Sequence, residues 1–407
     1  MAVATMSRPM ITYSAVYAAA ASVFMLTTAT GIGPYSTQVG PYWLLLQITL
    51  CIILVFLRPM EILQTGLHPA VAYGATLFAL LWLLARLSVV RHGLESAMPM
   101  FAGLVSYLLA AWLSVRLAGR RILAIALLPA LLVAVAANLY EFLVAPNTWS
   151  VSPGRAAGFF VNPNNSGAMI AGLFALWLAL RERGSIFLTL PIALLVLPAI
   201  FVTFSRGSIV LFLTLTAIIV WRDLWLDRRR KITTIAVAVA VAVASGFLVG
   251  WLSEYDLTPD ASMRLQSLLG GRFDDASAES RHDSMLDYLE RFFASPVAGA
   301  GLFGSLMEVD GRGPHNAFVA AAADLGIVGL LAYAAIVAIG LRSIHRLRWK
   351  GPRAQMQLVI VVWLALFSLF SHNVFYSAEG AMMIGLLMGS IAARGEKAVQ
   401  GQTAHGR

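Results

Sequence analysis

Residues 122–139 read ILAIALLPALLVAVAANL, an apolar run that carries no charged side chain. A helix needs roughly 20 apolar residues to cross the hydrocarbon core of a bilayer, with a working range of about 17–25. The run is therefore long enough to cross a membrane as a helix. It predicts a transmembrane segment, and the rest of the chain repeats the pattern.

About twelve such runs extend through the 407 residues, which are 59% hydrophobic and 12% charged with a mean hydropathy of +0.79. An ordinary soluble domain is about 25% charged. The composition excludes a soluble globular protein and a disordered chain, and the single cysteine excludes an internal disulfide framework. We expect an all-α polytopic membrane protein with about 12 transmembrane helices. The predicted spans lie near residues 12–31, 42–57, 69–85, 99–115, 122–139, 165–180, 186–204, 208–221, 232–252, 316–341, 354–373 and 380–393.

The Lys and Arg residues predict the orientation of these spans. With twelve spans both termini lie on one side, and 20 of the 29 Lys and Arg residues fall on that side. Such a basic excess marks the cytoplasmic side, so we expect both termini to be cytoplasmic. The net charge of +9 is then an orientation signal, and we expect no nucleic-acid partner.

Most outward-facing ionisable groups fall in one long loop, residues 253–314. Because ionisable side chains carry the chemistry of most sites, a chemical site is expected on the outer face. We divide the chain into N-terminal transmembrane helices at 1–140 and a core at 141–407 that includes this loop. Within the loop, residues 277–293 predict an amphipathic helix with Arg281 and His282 at the start of its apolar face. An arginine on the apolar face needs a partner for its charge. It either belongs to a functional site or extends to lipid headgroups.

Three glycines after this helix, Gly299, Gly301 and Gly304, match the pattern G-x-G-x-x-G. A dinucleotide site would need a buried strand before them and a βαβ unit around them. Neither is predicted, so we reject that function. A flexible loop is the favoured interpretation.

His315 and Asn316 follow at the predicted outer end of a span, and His372 lies at the outer end of the next span, the penultimate one, on the same face of the membrane. An imidazole titrates near neutral pH, which makes His315 the best candidate for a general base on the outer face. Asp324 follows nine residues later, about 13 Å deeper along a helix. An acid at that depth predicts a function or a buried pairing.

Two further arginines lie in short outward connections. Arg206, in the sequence TFSRG at 203–207, has almost no loop around it, which places it rigidly at the membrane surface. A headgroup-binding turn is the alternative. Arg155 precedes Asn164 and Ser166, either of which can cap the next helix.

Metal chemistry finds little support in the sequence. Acidic pairs of the form E-x-D occur at Glu254/Asp256 and Glu308/Asp310, and D-x-D is absent from the sequence. A divalent cation needs several converging oxygen ligands. We predict no metal and no cofactor.

The chain resembles the O-antigen ligase and O-antigen polymerase superfamily, and is most similar to the ligases. His315-Asn316, followed at fixed spacing by Gly326 and Gly329, fits the ligase pattern H-[NSQ]-x9-G-x2-[GTY]. Three weaker stretches occur in the same order. They are Ser205-Arg206-Gly207, the loop from Arg281 to Gly301, and Arg155 with Gly158 and Asn162-Pro163-Asn164.

The resemblance implies a GT-C-like, multi-pass protein of the bacterial inner membrane whose active site faces the periplasm. It implies transfer of a glycan from undecaprenyl diphosphate to a hydroxyl of lipid A–core, with inversion and without metal or nucleotide. Implied catalytic residues are His315, Arg206 and Arg281; implied substrate-binding residues are Arg155, Asn316 and His372. Membrane lipid is a further expected partner.

Two other functions stay open at this point. A polymerase of the same superfamily would use a second lipid-linked glycan as acceptor, and no motif in the sequence separates it from a ligase. A polysaccharide or lipid transporter would perform no covalent chemistry. Transporters are typically built from internal repeats, which this sequence does not clearly show, whereas Asp324 inside a span is compatible with transport.

Overall fold

The structure is a computed structural model, and every regular element in the residues that it describes is helical. It describes residues 8–35, 40–92, 97–118, 121–181, 186–226, 276–301, 313–348, 351–372 and 374–404, with isolated positions between 235 and 266. The helices are α1 (Arg8–Thr28), α2 (Ile32–Tyr35), α3 (Gly40–Leu57), α4 (Pro59–Leu67), α5 (Pro69–His92), α6 (Ala97–Leu117), α7 (Arg121–Leu143), α8 (Pro163–Leu180), α9 (Ile186–Phe201), α10 (Arg206–Leu226), α11 (Ala276–Ala294), α12 (Ala317–Arg346), α13 (Gly351–Phe370) and α14 (Ala378–Ala404).

Four of these helices are long and apolar enough to cross a membrane. They contain residues Met98–Leu117, Arg121–Leu143, Ala317–Arg346 and Gly351–Phe370. The pair α3 and α4 qualifies as a fifth only if its two parts, bent by 108° at Arg58, are taken together. Shorter apolar helices occupy Ala15–Thr28, Pro69–Ala85, Phe187–Phe201 and Ala378–Ala393. The chain is thus a helical, multi-pass type of membrane protein, while the number twelve and the orientation stay predictions.

Helix α8 lies at the centre of the helical assembly. Every residue from Asn165 to Leu180 is buried, with α7, α9, α10 and α13 packed around it. A helix that is apolar on all sides must be surrounded by other helices or by lipid. Because α8 begins close to the connections that carry Arg155 and Arg206, this buried helix forms the base of the candidate site.

Close backbone packing joins α14 to α6. A Cβ atom at Gly385 would overlap the carbonyl oxygen of Tyr107, and one at Gly389 would overlap that of Ala111. Small residues at such positions let two helices approach closely in a membrane, where packing drives association. The α6–α14 pair is therefore specified by glycines four residues apart.

Helix α12 is broken at Gly326, which adopts φ +66° and ψ −161°. The segment 295–301 docks into the break: the amides of Ala300 and Gly301 donate to the carbonyls of Ala323 and Asp324, at 2.8 and 3.0 Å. The amide of Ile327 in turn donates to the carbonyl of Pro296 at 2.8 Å. The described part of the predicted flexible loop is thus a hydrogen-bonded connection, and Gly304 lies outside the described residues.

Glycine is required on both sides of this contact. A Cβ atom at Gly299 would overlap the backbone of Asp324, and one at Gly326 would overlap the carbonyl of Val297. Gly326 also has a backbone conformation that is essentially restricted to glycine. The first glycine of the H-[NSQ]-x9-G-x2-[GTY] pattern is therefore explained by the break in α12.

Candidate active site

Arg155 and Arg206 line one small cleft that opens to solvent. The cleft is also lined by Asn164, Phe204, Ser205, Gly207 and Phe370. These residues come from the connection before α8, the α9–α10 connection and the end of α13. Two guanidinium groups on one small cleft favour an anionic ligand, because each can donate two parallel hydrogen bonds to a phosphate or carboxylate.

Arg155 is buried, at 6% exposed, and its guanidinium is held by two neutral oxygens. Its Nε donates to the carbonyl of Thr203 at 2.7 Å, and one terminal nitrogen donates to Oδ1 of Asn164 at 3.0 Å. These two bonds fix the orientation of the guanidinium. The arginine is therefore positioned at the cleft before any ligand binds.

The residue that caps α8 is not one of those predicted. Asn162 is the N-cap, and its Oδ1 accepts from the amide of Asn164 at 2.9 Å. Pro163 takes the first helical position, where its missing amide hydrogen costs nothing. Capping by Asn162 leaves the side chain of Asn164 available to bind Arg155, which the sequence did not reveal.

Arg206 is the first residue of α10, in a tight connection from α9. Phe204 adopts φ +46°, and the amide of Ser208 donates to the hydroxyl of Ser205 at 3.3 Å. The hydroxyl of Ser208 donates to the carbonyl of Asn164 at 3.1 Å, which ties the start of α10 to α8. A helix N-terminus favours negative charge, so the helix and the Arg206 side chain favour the same kind of ligand.

His315 and His372 lie next to each other at the ends of α12 and α13. Their ring centroids are 5.8 Å apart, and the ring planes meet at 76°. His315 has φ +50°, an unfavourable region for a residue with a side chain. Asn316 then caps α12, since its Oδ1 accepts from the amides of Phe318 and Val319 at 2.9 and 3.2 Å. The role of Asn316 in the structure is therefore to begin the helix directly after His315.

His372 is enclosed by the chain that leads to His315. A Cβ atom at Gly313 would overlap the His372 ring, so the backbone at Gly313 passes directly over the imidazole. The Nδ1 atom of His372 is buried and has no hydrogen-bond partner among the described residues. Burial first, and the nearby His315 second, lower the pKa of His372 to about 4. His372 is thus neutral at physiological pH.

The arginine cleft and the histidine pair adjoin through α13. Phe370 lines the cleft, and a Cβ atom at Gly207, next to Arg206, would overlap the Phe370 ring. His372 follows only two residues later, so at most about 7 Å separates its Cα atom from that of Phe370. The two arginines and the two histidines therefore belong to one end of the molecule.

Helix α11, Ala276–Ala294, confirms the helix predicted for the long loop, but its buried side differs from the predicted apolar face. Ser284 and Tyr288 are buried, whereas Leu286 and Phe293 are 50% and 73% exposed. The reason is that Tyr288 packs towards Asp324 of α12. The backbone of Arg281 lies in α11, while its side chain lies outside the described residues.

Asp324 forms a polar cluster with Tyr288 and Tyr376. The hydroxyl of Tyr376 donates to Oδ2 of Asp324 at 2.8 Å, and Asp324 is buried. Burial, and then the Asp324 carboxylate, raise the pKa of both tyrosines, so both stay protonated. The cluster joins α11, the broken α12 and the α13–α14 connection that carries His372.

Glu141 was missed by the sequence reasoning. It is buried at the end of α7, where its carboxylate accepts four backbone amides, those of Trp149, Ser150, Ala157 and Gly158, at 2.6–2.7 Å. Glu379 was also missed; it is fully buried and accepts a bond of 3.5 Å from Nδ2 of Asn165. Such contacts have no sequence signature, because the partners of Glu141 are main-chain groups of any residue type.

In the described part of the chain no three His, Cys, Asp or Glu residues come together as metal ligands. The acidic pairs Glu254/Asp256 and Glu308/Asp310 lie outside it. The absence of a metal site therefore stays a prediction.

These elements define a class: a multi-pass helical membrane protein whose helix ends carry a basic cleft beside a histidine pair. Comparison with protein families narrows the class, because residues 191–334 match the model described as O-antigen ligase. This match confirms the resemblance of the chain to the O-antigen ligase and polymerase superfamily over residues 191–334. No curated protein sequence matches the chain.

The matched segment contains Arg206, Arg281, His315 and Asn316, together with Gly326 and Gly329. Arg155 and His372 lie outside it, and contacts within the structure connect them to it. The match supports a glycosyltransferase-like enzyme of O-antigen processing, with ligase- or polymerase-type glycan transfer as the activity of the family.

Proposed function

We propose that the protein is an O-antigen ligase: it transfers a glycan from undecaprenyl diphosphate to a hydroxyl of lipid A–core at the periplasmic face of the inner membrane. The observation that carries this proposal is the cleft shared by Arg155 and Arg206, which adjoins the His315–His372 pair. The family match to O-antigen ligase supports the reaction class.

The donor diphosphate belongs in the arginine cleft. Guanidinium groups stay charged at any physiological pH and bind phosphate oxygens in pairs. As the bond between the sugar and the diphosphate breaks, negative charge grows on the leaving oxygen. Two fixed cations stabilise this charge most strongly in the transition state, which is the requirement for catalysis. Arg281 is proposed as a further contact to the diphosphate, by resemblance only.

The acceptor belongs next to His315. In the proposed step, the imidazole of His315 takes the proton of an acceptor hydroxyl while the hydroxyl oxygen attacks the anomeric carbon. The new carbon–oxygen bond forms as the bond to the diphosphate oxygen breaks, and undecaprenyl diphosphate leaves with the electron pair. A single displacement inverts the anomeric configuration. General base catalysis of this kind contributes typically about 10²–10⁴-fold.

Asn316 and His372 position His315 for this step. Asn316 begins α12 and so fixes the backbone of His315. His372 lies against His315 as a neutral ring, and a cationic neighbour there would oppose the charge that His315 gains. Asn164, which holds Arg155, completes the set on the arginine side.

The test uses a strain that lacks the protein and is complemented with variants. Arg206→Ala, Arg155→Ala and His315→Ala are each expected to remove polymeric O-antigen from extracted lipopolysaccharide while the protein stays in the membrane. Arg121→Ala, at the exposed start of α7, is the matched control and should give a normal ladder. Normal ladders from all three site variants would contradict the proposal.

The deletion strain separates the ligase from its alternatives. Loss of all O-antigen on core indicates the ligase, whereas a single repeat unit on core indicates a polymerase. A transporter predicts that purified protein in vesicles moves the lipid-linked glycan without forming a new glycosidic bond.

A further inference from the structure

We infer that Glu141 is a positioning residue for Arg155 in the proposed transfer. The inference rests on the proposed function, because Arg155 is there a ligand of the donor diphosphate. Glu141 lies near the end of α7 and is 1% exposed. Its carboxylate binds main-chain amides on both sides of Arg155 in the sequence.

Each carboxylate oxygen holds one end of the segment that carries Arg155. Oε1 accepts from the amides of Trp149 and Ser150, at 2.7 and 2.6 Å. Oε2 accepts from the amides of Ala157 and Gly158, both at 2.7 Å. Four short bonds from one side chain therefore close residues 149–158 into a compact turn.

The same turn is fastened to the connection that carries Arg206. The amide of Ala156 donates to the carbonyl of Val202 at 2.9 Å, and Nε of Arg155 donates to the carbonyl of Thr203 at 2.7 Å. Arg206 follows three residues after Thr203. By fixing the turn, Glu141 sets the spacing of the two guanidinium groups on the cleft.

A carboxylate is required for this arrangement. It offers acceptors on both oxygens, whereas an amide of the same shape has one acceptor and one donor. In a Glu141→Gln variant the side-chain NH₂ would face two backbone N–H groups, so one end of the turn would lose its acceptor. Buried donors without acceptors are costly, and the turn would open at that end.

The effect of Glu141 is tested by a double-mutant cycle on ligand binding. The probe is undecaprenyl diphosphate, measured for binding to the full-length protein in lipid nanodiscs. Arg155→Ala and Glu141→Gln are each expected to weaken binding roughly tenfold or more. The combined variant should bind no more weakly than Arg155→Ala alone, because Glu141 acts through Arg155. Effects that multiply, or unchanged binding by Glu141→Gln, would overturn the inference.

Hydrogen exchange gives a readout that does not depend on the donor. Glu141→Gln should speed exchange at the amides of Trp149, Ser150, Ala157 and Gly158, with Glu141→Asp as the second variant if the first does not fold. The control is Asn147→Gly, just before this turn, which removes a single exposed bond from the amide of Gly154. Binding of the diphosphate by this variant should be unchanged. Unchanged exchange in the Glu141 variants overturns the inference.

The two proposals fail in different ways. If Arg155→Ala binds the diphosphate as well as the wild type, the cleft is not the donor site and the proposed function is wrong. If Arg155→Ala loses binding while Glu141→Gln keeps it, the proposed function stands and the role of Glu141 is refuted.

Discussion

The rings of His315 and His372 meet edge to face with their centroids 5.8 Å apart, and the backbone at Gly313 lies against the His372 ring. Gly313 passes directly over His372, so that ring is held as a neutral group beside His315. The two rings therefore differ in their proposed roles. His315, at the start of α12, takes up a proton during the reaction, whereas His372 stays neutral.

The low pKa of His372 predicts a specific loss of stability in acid. The pKa of an unfolded histidine is about 6.5, whereas the folded value is about 4. As the pH falls from about 6.5 to about 4, the unfolded chain binds a proton at His372 and the folded chain does not. The Tm in nanodiscs should therefore fall over this range.

His372→Gln is expected to reduce that part of the pH dependence, since glutamine does not titrate. The exposed His282 is the matched control, and His282→Gln should leave the change of Tm with pH as it is in the wild type. If the Tm falls equally with pH in the wild type and in His372→Gln, His372 is not the group that causes the loss of stability. Measuring the Tm at pH 7.5, 6, 5 and 4.5 gives the comparison.

Arginine at the cleft should not be replaceable by lysine. A Lys side chain keeps the charge but loses the planar set of donors that binds two oxygens at once. Arg155→Lys would also lose the geometry that joins Thr203 and Asn164. We expect Arg155→Lys and Arg206→Lys each to lower the rate of glycan transfer by about 10²-fold or more. Wild-type rates for both would rule out bidentate binding.

The sequence predicted many helices, but it could not predict how the site is assembled. The sequence places Arg155 in a short connection before α8, and the structure places it on the same cleft as Arg206. Its actual supports are the carbonyl of Thr203, the side-chain oxygen of Asn164 and the turn closed by Glu141. The first and last of these use main-chain groups, which have no residue signature.

Two expectations from the sequence, on the cap of α8 and on the buried face of α11, were wrong for the same physical reason. Asn164 or Ser166 was expected to cap α8, and the apolar residues at three- and four-residue spacing in α11, such as Leu286 and Phe293, were expected to form its buried face. In both cases the choice among chemically similar neighbours depends on tertiary contacts: Asn162 caps α8, and Ser284 and Tyr288 face inward in α11. By contrast, the position of Gly326 was given by the family pattern, and its backbone conformation now explains why glycine is needed there.

Chelation of divalent cations should leave activity intact. The proposed reaction needs only guanidinium groups and an imidazole, and the leaving diphosphate requires no metal if arginines bind it. Glycan transfer in nanodiscs should be the same with and without EDTA. Complete loss that Mg²⁺ restores would instead favour Glu254/Asp256 or Glu308/Asp310 as ligands.

Gly326→Ala is expected to destabilise the protein and abolish transfer. Alanine at φ +66° and ψ −161° is strained by about 1–3 kcal/mol, and its Cβ atom would displace the segment at Val297 from the break in α12. Gly66→Ala in α4 is the matched control, because no atom lies near its Cβ position. It should leave the Tm unchanged or slightly raised. Equal Tm values for the two variants would contradict the proposed role of the break.

Tyr376→Phe tests whether the Asp324 cluster holds the His372 segment in place. The variant removes one hydroxyl, which donates to Oδ2 of Asp324 at 2.8 Å, and leaves a buried carboxylate oxygen without that donor. A loss of about 1–3 kcal/mol is expected, seen as a lower Tm, together with faster hydrogen exchange in residues 371–377.

Tyr42→Phe removes a hydroxyl from an exposed side chain and should change neither quantity. Asp324→Asn keeps the size of the side chain but removes its charge, so it should weaken the same contact. Because Tyr288 of α11 also packs towards Asp324, Asp324→Asn should in addition speed exchange in residues 284–294. If exchange rises in α11 alone, the cluster anchors α11 but does not hold the connection that carries His372.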